Sequence, residues 1–275
     1  DPKVGMYLDG VYVGRSVGAI CDMADIERVE VLRGPQGTLF GRNATGGAIS
    51  MITSSPTGEF GLKQDVSLGS NDAFRARTNL NLPAWGPLSV KISYLHDEDE
   101  GTADNLIGGQ SIDLRPFDPD LGVLKYEDDL GSEDTDAFMF AARLVVNDEL
   151  TLDYKYDRTD SDTVGNPTQQ LGITGGALQP LLQLIDSLQP LYGGITNVST
   201  DRLDDVAAAT SVQPLEVFGH NLTVNWDISE DVNFKSITAW REMEQDPNIY
   251  DLAATGGWKF TTTQLAGALT GDFGA

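Results

Sequence analysis

From Phe60 onward, apolar and polar residues alternate with a period of two, the pattern of strands that turn one face to an apolar medium and the other to a polar one. Phe60, Leu62, Val66 and Leu68 alternate with Gly61, Lys63, Asp65, Ser67 and Gly69, and Phe74, Ala76, Leu80 and Leu82 with Arg75, Arg77, Asn79 and Asn81. Leu88, Val90, Ile92 and Tyr94 are set against Ser89, Lys91 and Ser93. After an acidic interval the pattern resumes at Phe138, Phe140, Leu144 and Val146, then at Leu150, Leu152, Tyr154 and Tyr156 opposite Thr151, Asp153, Lys155 and Asp157. A sixth strand sets Phe218, Leu222, Val224, Trp226 and Ile228 against Gly219, Asn221, Thr223, Asn225 and Asp227, and a weaker seventh runs from Val232 to about Glu242.

The connections alternate in length. Tight turns fall at Ala84 to Pro87, Asn147 to Glu149 and Ser229 to Asp231; between them lie intervals of about 37 and about 55 residues, longer than a compact soluble domain normally carries. A sandwich gives no reason for this asymmetry, whereas an outer-membrane barrel has short turns at one end and long loops at the other. The short connection Ser70 to Ala73 falls on the long-loop side and is the exception. Within the longest interval Leu178, Leu181, Leu182, Ile185 and Leu188 recur at helical spacing and predict a short helix.

Residues 1–57 differ. Val4 to Val13 reads as two short strands about an Asp9-Gly10 turn. Asp22 or Asp25 is placed to cap a helical turn before Ile26, Arg28 to Leu32 alternates as a strand stopped by Gly34-Pro35, and Gly46-Gly47 precedes a last apolar strand, Ala48 to Thr53. The expectation is a mainly β chain, with part of a small α/β unit over 1–57 and an incomplete antiparallel barrel over 58–275.

The stretch IERVEVLRGPQGTLFGRNATGGAISMIT, Ile26 to Thr53, closely resembles the plug domain of TonB-dependent outer-membrane receptors. Tyr7-Leu8-Asp9-Gly10-Val11-Tyr12 resembles the strand pair that precedes this motif in the family. The resemblance implies a plug's C-terminal part followed by the first strands, about seven, of a barrel of roughly 22. It also implies that the beginning of the plug, most of the barrel and both ends of the receptor lie outside this chain. Arg28, Glu30, Arg33, Gly34, Pro35, Gly37, Gly41, Arg42, Gly46 and Gly47 are the plug-motif residues it singles out, with Arg33 and Arg42 expected to face polar groups of the barrel wall. The implied function is uptake of a scarce solute such as a ferric siderophore, energised by TonB with its inner-membrane ExbB/ExbD motor, in a barrel bathed by outer-membrane lipid and lipopolysaccharide.

Composition narrows the alternatives. A net charge of -24 disfavours nucleic acid as a partner. No run of 18 apolar residues forms a membrane helix, but barrel strands hide their hydrophobicity in alternation. The single cysteine, Cys21, provides no disulfide framework, and neither His96 nor His220 stands in a zinc spacing, so no metal or cofactor is expected. Gly34-x-x-Gly37-x-x-x-Gly41 lacks the Lys-Ser/Thr pair of a phosphate loop, and the acidic runs Asp97 to Glu100 and Glu127 to Asp129 match no calcium loop and read as solvated. A β-rich secreted hydrolase would need a catalytic constellation, and carboxylates such as Asp97 and Asp99 are too numerous here to mark one. A purely structural or adhesive barrel would share the alternation without needing the plug motif.

Overall fold

The computed structural model describes residues 4–14, 24–40, 44–113, 115, 122–169, 171–172 and 198–245. Cys21, Asp22, Gly41, Arg42 and the helix expected at 178–188 lie outside the described residues. The chain forms two compact units; the first comprises Asp1–Glu98, Asp134–Ser161 and Pro214–Gln245.

The first unit opens with a four-stranded sheet. Its strands are β1 (Val4–Leu8), β2 (Val11–Val13), β3 (Ile26–Arg33) and β4 (Gly47–Thr53), in the order β2-β1-β4-β3, with the single turn α1 (Gly37–Phe40) between β3 and β4. Asp9 and Gly10 both adopt left-handed backbone (φ 47° and 83°), as a two-residue turn with the right twist for a hairpin requires. β1 runs parallel to β4, Val4 opposite Gly47 and Leu8 opposite Met51, and β3 runs antiparallel to β4. Paired on both edges, β4 is buried on both faces, which is why GAISMIT reads as a continuous apolar run. β3 is an edge strand whose exposed charges blunt further pairing. The helical turn expected before Ile26 is corrected at Asp25: β3 begins at the next residue, and the Asp25 carboxylate is taken by a lysine of another element.

Beside it lies a seven-stranded sheet of β5 (Gly61–Leu68), β6 (Phe74–Asn81), β7 (Leu88–Asp99), β12 (Glu133–Val145), β13 (Leu150–Val164), β14 (Val212–Ser229) and β15 (Val232–Gln245), each neighbouring the next in that order. The pairs β5/β6, β6/β7 and β14/β15 are antiparallel. Leu62, Val66, Leu68, Leu222, Trp226, Ile228, Phe234 and Trp240 are exposed large apolar side chains, all on one face of the sheet. An apolar face of this kind marks a membrane or partner interface. Along one level of it the rings form a row: Phe138 with Tyr156, Phe140 with Tyr154, both tyrosines with His220, and His220 stacked on Trp240 at 5.9 Å. Such girdles mark the border of an apolar band. The sheet ends in two edges, β5 and β15, so this stretch does not close a barrel.

Several strands outrun the apolar pattern. β12 begins at Glu133 rather than Phe138, β13 continues to Val164, and β14 begins at Val212 rather than Phe218. The reason is physical: about 9–11 residues of a tilted strand cross the hydrocarbon layer, whereas the hydrogen-bond ladder continues wherever backbones stay paired. Beyond that band Asp134, Asp136, Arg158 and Asp160 occupy the face that held the aromatic rings.

The second unit draws its described residues from Asp99–Glu133 and Asp162–Gln213. It is more than solvated acidic loop. Two short antiparallel pairs, β8 (Ala103–Asp104) with β11 (Asp129–Leu130) and β9 (Ser111–Asp113) with β10 (Val123–Lys125), accompany two apolar clusters. One holds Leu130, Val164, Val206 and Ala208; the other holds Ile107, Tyr126 and Ala207. Buried Asn105 ties them together. Its amide nitrogen donates to the Glu127 and Ala208 carbonyls at 2.7 and 2.8 Å, and its oxygen accepts from the Ala208 and Ile107 amides at 3.0 and 3.3 Å.

Candidate functional site

The alternation that turns apolar side chains outward sends Lys91, Arg143, Lys155 and Arg241 to the opposite face of the seven-stranded sheet. The face therefore carries cations, some of them paired with Asp153 and Asp157, where it meets the four-stranded sheet. Three consecutive residues, Thr53, Ser54 and Ser55, continue from the end of β4 along it, and each takes a cation from a different strand.

Lys155 of β13 donates to the Thr53 hydroxyl at 2.6 Å and to its carbonyl at 3.3 Å, and its ammonium lies 3.0 Å from the Asp9 carboxylate. Asp9 in turn accepts from the Thr53 amide at 3.0 Å and from the Thr53 hydroxyl at 2.7 Å. The tight Asp9-Gly10 turn makes this possible by holding the carboxylate over the end of β4. A Cβ at Gly10 would stand 2.9 Å from the Ile237 side chain of β15, so the turn lies directly on the sheet.

Lys91 of β7 makes an ion pair with Asp25 at 2.6 Å and donates to the Ser54 hydroxyl, which donates to Asp25. Both charged side chains are about nine-tenths buried, at 9% and 11% exposure. Arg143 of β12 donates to the Ser55 hydroxyl at 3.1 Å while its guanidinium grips Asp153 through two nitrogens, at 2.6 and 3.2 Å. Alongside these polar contacts, Ala24 packs with Leu95, Ala137 and Met139 in a small apolar patch. The seam is thus mostly ionic and hydrogen-bonded. Each charge is compensated locally, as burial demands, with one small apolar cluster beside the polar contacts.

The described residues among those singled out by the sequence motif lie elsewhere in the four-stranded sheet and its turns. Arg28 pairs with Glu27 and Glu30 at 3.2 and 2.8 Å within its own exposed strand. Arg33 is exposed, and its carbonyl accepts from the Gln36 amide at 3.4 Å. Gly34 turns the chain with φ 84°, its N–H bonded to the Gly46 carbonyl; Pro35 is exposed, and Gly37 opens α1. Gly47 sits where β3 and β4 approach so closely that a Cβ would meet the Leu32 carbonyl oxygen at 2.6 Å. The ion pairs and hydroxyl contacts described above run through Asp9, Asp25 and Thr53 to Ser55. The sequence signal for these was weak: a turn aspartate and a Thr-Ser-Ser run.

Residues 1–48 match the family model "TonB-dependent Receptor Plug Domain". The chain is 35% identical over 126 residues to the pesticin receptor of Yersinia pestis, covering 46% of this chain and 18% of that protein. It is 34% identical over 110 residues to the metal-pseudopaline receptor of Pseudomonas aeruginosa, covering 38% and 15%. In structure it is similar to the ferric yersiniabactin uptake receptor FyuA from Yersinia pestis, with a TM-score of 0.66 and 21% identity over 91% of this chain and 33% of that one, a likeness of fold. The alignments thus span under a fifth of these curated relatives.

Proposed function

We propose, for a chain that carries the plug domain and opening barrel strands of a TonB-dependent outer-membrane receptor, that the whole protein imports a scarce solute by TonB-driven displacement of the plug. The relatives are receptors and transporters rather than enzymes. Within this reading residues 1–57 are the C-terminal part of the plug and 58–275 the first barrel strands with their outer loops.

The observation that carries the proposal is the seam itself. A seal that must open and reclose cannot rest on a large fused apolar core, whose separation would expose hundreds of square ångströms to water. Ion pairs and hydroxyl contacts can be exchanged for water at smaller net cost. The Thr53-Ser54-Ser55 run on Lys155, Lys91 and Arg143 is such a seam. TonB with its ExbB/ExbD motor supplies the force, and the cargo is a ferric siderophore or related metal chelate, the class named for the pseudopaline receptor and the yersiniabactin receptor. Outer-membrane lipid and lipopolysaccharide cover the apolar face.

The test is uptake of radioiron supplied as candidate chelates to cells expressing the complete gene, with and without TonB. Accumulation should require both the receptor and TonB. Uptake that survives loss of TonB removes the energised mechanism, and a protein recovered from the periplasm rather than the outer membrane removes the receptor reading altogether.

A further inference from the structure

Where β5, β6 and β7 face the start of β3, a cavity of about 270 Å³ opens beside the seam, lined by Asp25, Lys63, Arg77, Asn79, Asn81 and Lys91. Most of its polar groups are accounted for. Asp25 and Lys91 neutralise each other, Lys63 lies 3.0 Å from Asp65 in an exposed pair, and the Asn81 side-chain oxygen accepts from the Thr57 amide at 3.1 Å. Two atoms are not. The Arg77 Nε and the Asn79 Oδ1 are buried with no hydrogen-bond partner, and Asn79 as a whole is only 8% exposed. Both residues belong to β6, two apart, and so project to the same side. Arg77 stands opposite Leu95 and Asn79 opposite Ser93, each of which is almost fully buried.

An orphaned guanidinium N–H and an orphaned amide oxygen, both lining one cavity, are costly unless something completes them. The charges leave a positive excess, because Asp25 is paired with Lys91 and Lys63 with Asp65, so that among the described residues Arg77 is the lining cation left without a carboxylate. The complementary group carries an anionic oxygen for Arg77 together with an O–H that donates to Asn79. A hydroxycarboxylate has this pattern, and so has hydrogen phosphate. A fully deprotonated oxyanion such as sulfate satisfies Arg77 but leaves Asn79 unpaired.

We propose that this cavity is a binding subsite for a hydroxylated anionic group, a hydroxycarboxylate or a hydrogen phosphate, held by Arg77 and oriented by Asn79. It lies toward the short-turn end of the sheet, where Gly61 pairs with Asn81 and Asn81 with Lys91, on the side facing β3. It deepens the transport reading by placing an anion-selective station on the exit side of the lumen, and it depends on the plug-and-wall fold but not on energisation or cargo identity.

The experiment is equilibrium dialysis of the purified full-length receptor in detergent against radiolabelled glycolate, inorganic phosphate and sulfate, without TonB. Glycolate or phosphate should bind at least about fivefold more tightly than sulfate. Arg77→Gln should weaken the bound anion by about tenfold or more, as expected for loss of a charge-assisted hydrogen bond. Preference for glycolate marks a solute-derived group, and preference for phosphate marks the free ion. Asn79→Leu should retain anion binding and bring the phosphate-to-sulfate ratio close to one. Folding of each variant is checked by the change in gel mobility between unheated and heated samples. Absence of binding to the wild-type receptor overturns the proposal, as does wild-type affinity in Arg77→Gln. Should Arg77→Gln fail to fold, an unchanged phosphate-to-sulfate ratio in Asn79→Leu overturns it instead. Because no uptake is measured, a failure of TonB-dependent import leaves this result standing, and the reverse also holds.

Discussion

Replacing Lys155 with Met in the complete receptor removes the cation that joins Asp9 and Thr53 to the barrel wall. Both charged side chains are largely buried, at 15% and 12% exposure. Stripping one partner from such a pair costs about 3–5 kcal/mol because the remaining charge loses its compensation. Asp9 keeps its two hydrogen bonds from Thr53, at 3.0 and 2.7 Å, so the lower end, about 3 kcal/mol, applies. At about 1.4 kcal/mol per decade, this raises the population of the undocked plug by roughly two orders of magnitude. The assay is amide hydrogen exchange of β4 in detergent-solubilised receptor, where the four-stranded sheet opens from the undocked state and fast reclosure makes the exchange rate follow the overall opening equilibrium. β4 amides should exchange about a hundredfold faster, with those of β14 and β15 unchanged. The double variant Asp9→Asn with Lys155→Met should recover most of the loss, because the buried charge goes with its partner. Equal β4 protection in Lys155→Met and wild type would refute the seam as an energetic lock. So would a double variant showing the sum of the two single losses, which would mean that the pair is not coupled.

Three further outcomes follow from the geometry. Asn105→Leu removes four hydrogen bonds, three of them buried, in the second unit and should cost at least about 3 kcal/mol there; trypsin should then cut more rapidly near Lys125 and Arg202, while the barrel keeps its heat-dependent gel mobility. Gly47→Ala forces a Cβ to within 2.6 Å of the Leu32 carbonyl at a φ of 154°, so it should destabilise the plug sheet by about 1–3 kcal/mol, seen as faster exchange in β3 and β4 alone. Arg33→Glu reverses an exposed charge at the end of β3 and, if Arg33 meets the remainder of the barrel wall in the complete receptor, should admit large antibiotics without impairing membrane insertion; unchanged permeability would set that role aside.

Much of this molecule is legible in one dimension. Period-two alternation located all seven strands of the larger sheet, because a side chain's face depends only on whether its position is odd or even. The Asp9-Gly10 turn was equally plain, since a two-residue hairpin turn requires left-handed backbone. Strand lengths were less legible: outside the hydrocarbon band polarity no longer has to alternate, so β12, β13 and β14 extend into acidic sequence that carries no pattern. Asp25 showed the limit of local reasoning, reading as a helix cap because capping chemistry is all that its neighbours reveal.

The sequence by itself determined which residues turn outward, through local periodicity, and where the stretch resembling a plug domain lies, through a contiguous motif. Only the tertiary structure decided which charges meet: Lys155 reaches Thr53 across 102 positions and Lys91 reaches Ser54 across 37. It likewise brought His96 to 3.1 Å from Asp136, an acid that no sequence spacing assigns to it. The physical reason is that alternation specifies a face but not a level along it. Register between strands, and the docking of one sheet on another, set that level through the combined pairing and packing of many residues, so the partners in the seam and the orphaned pair in the cavity emerge only once the chain is folded.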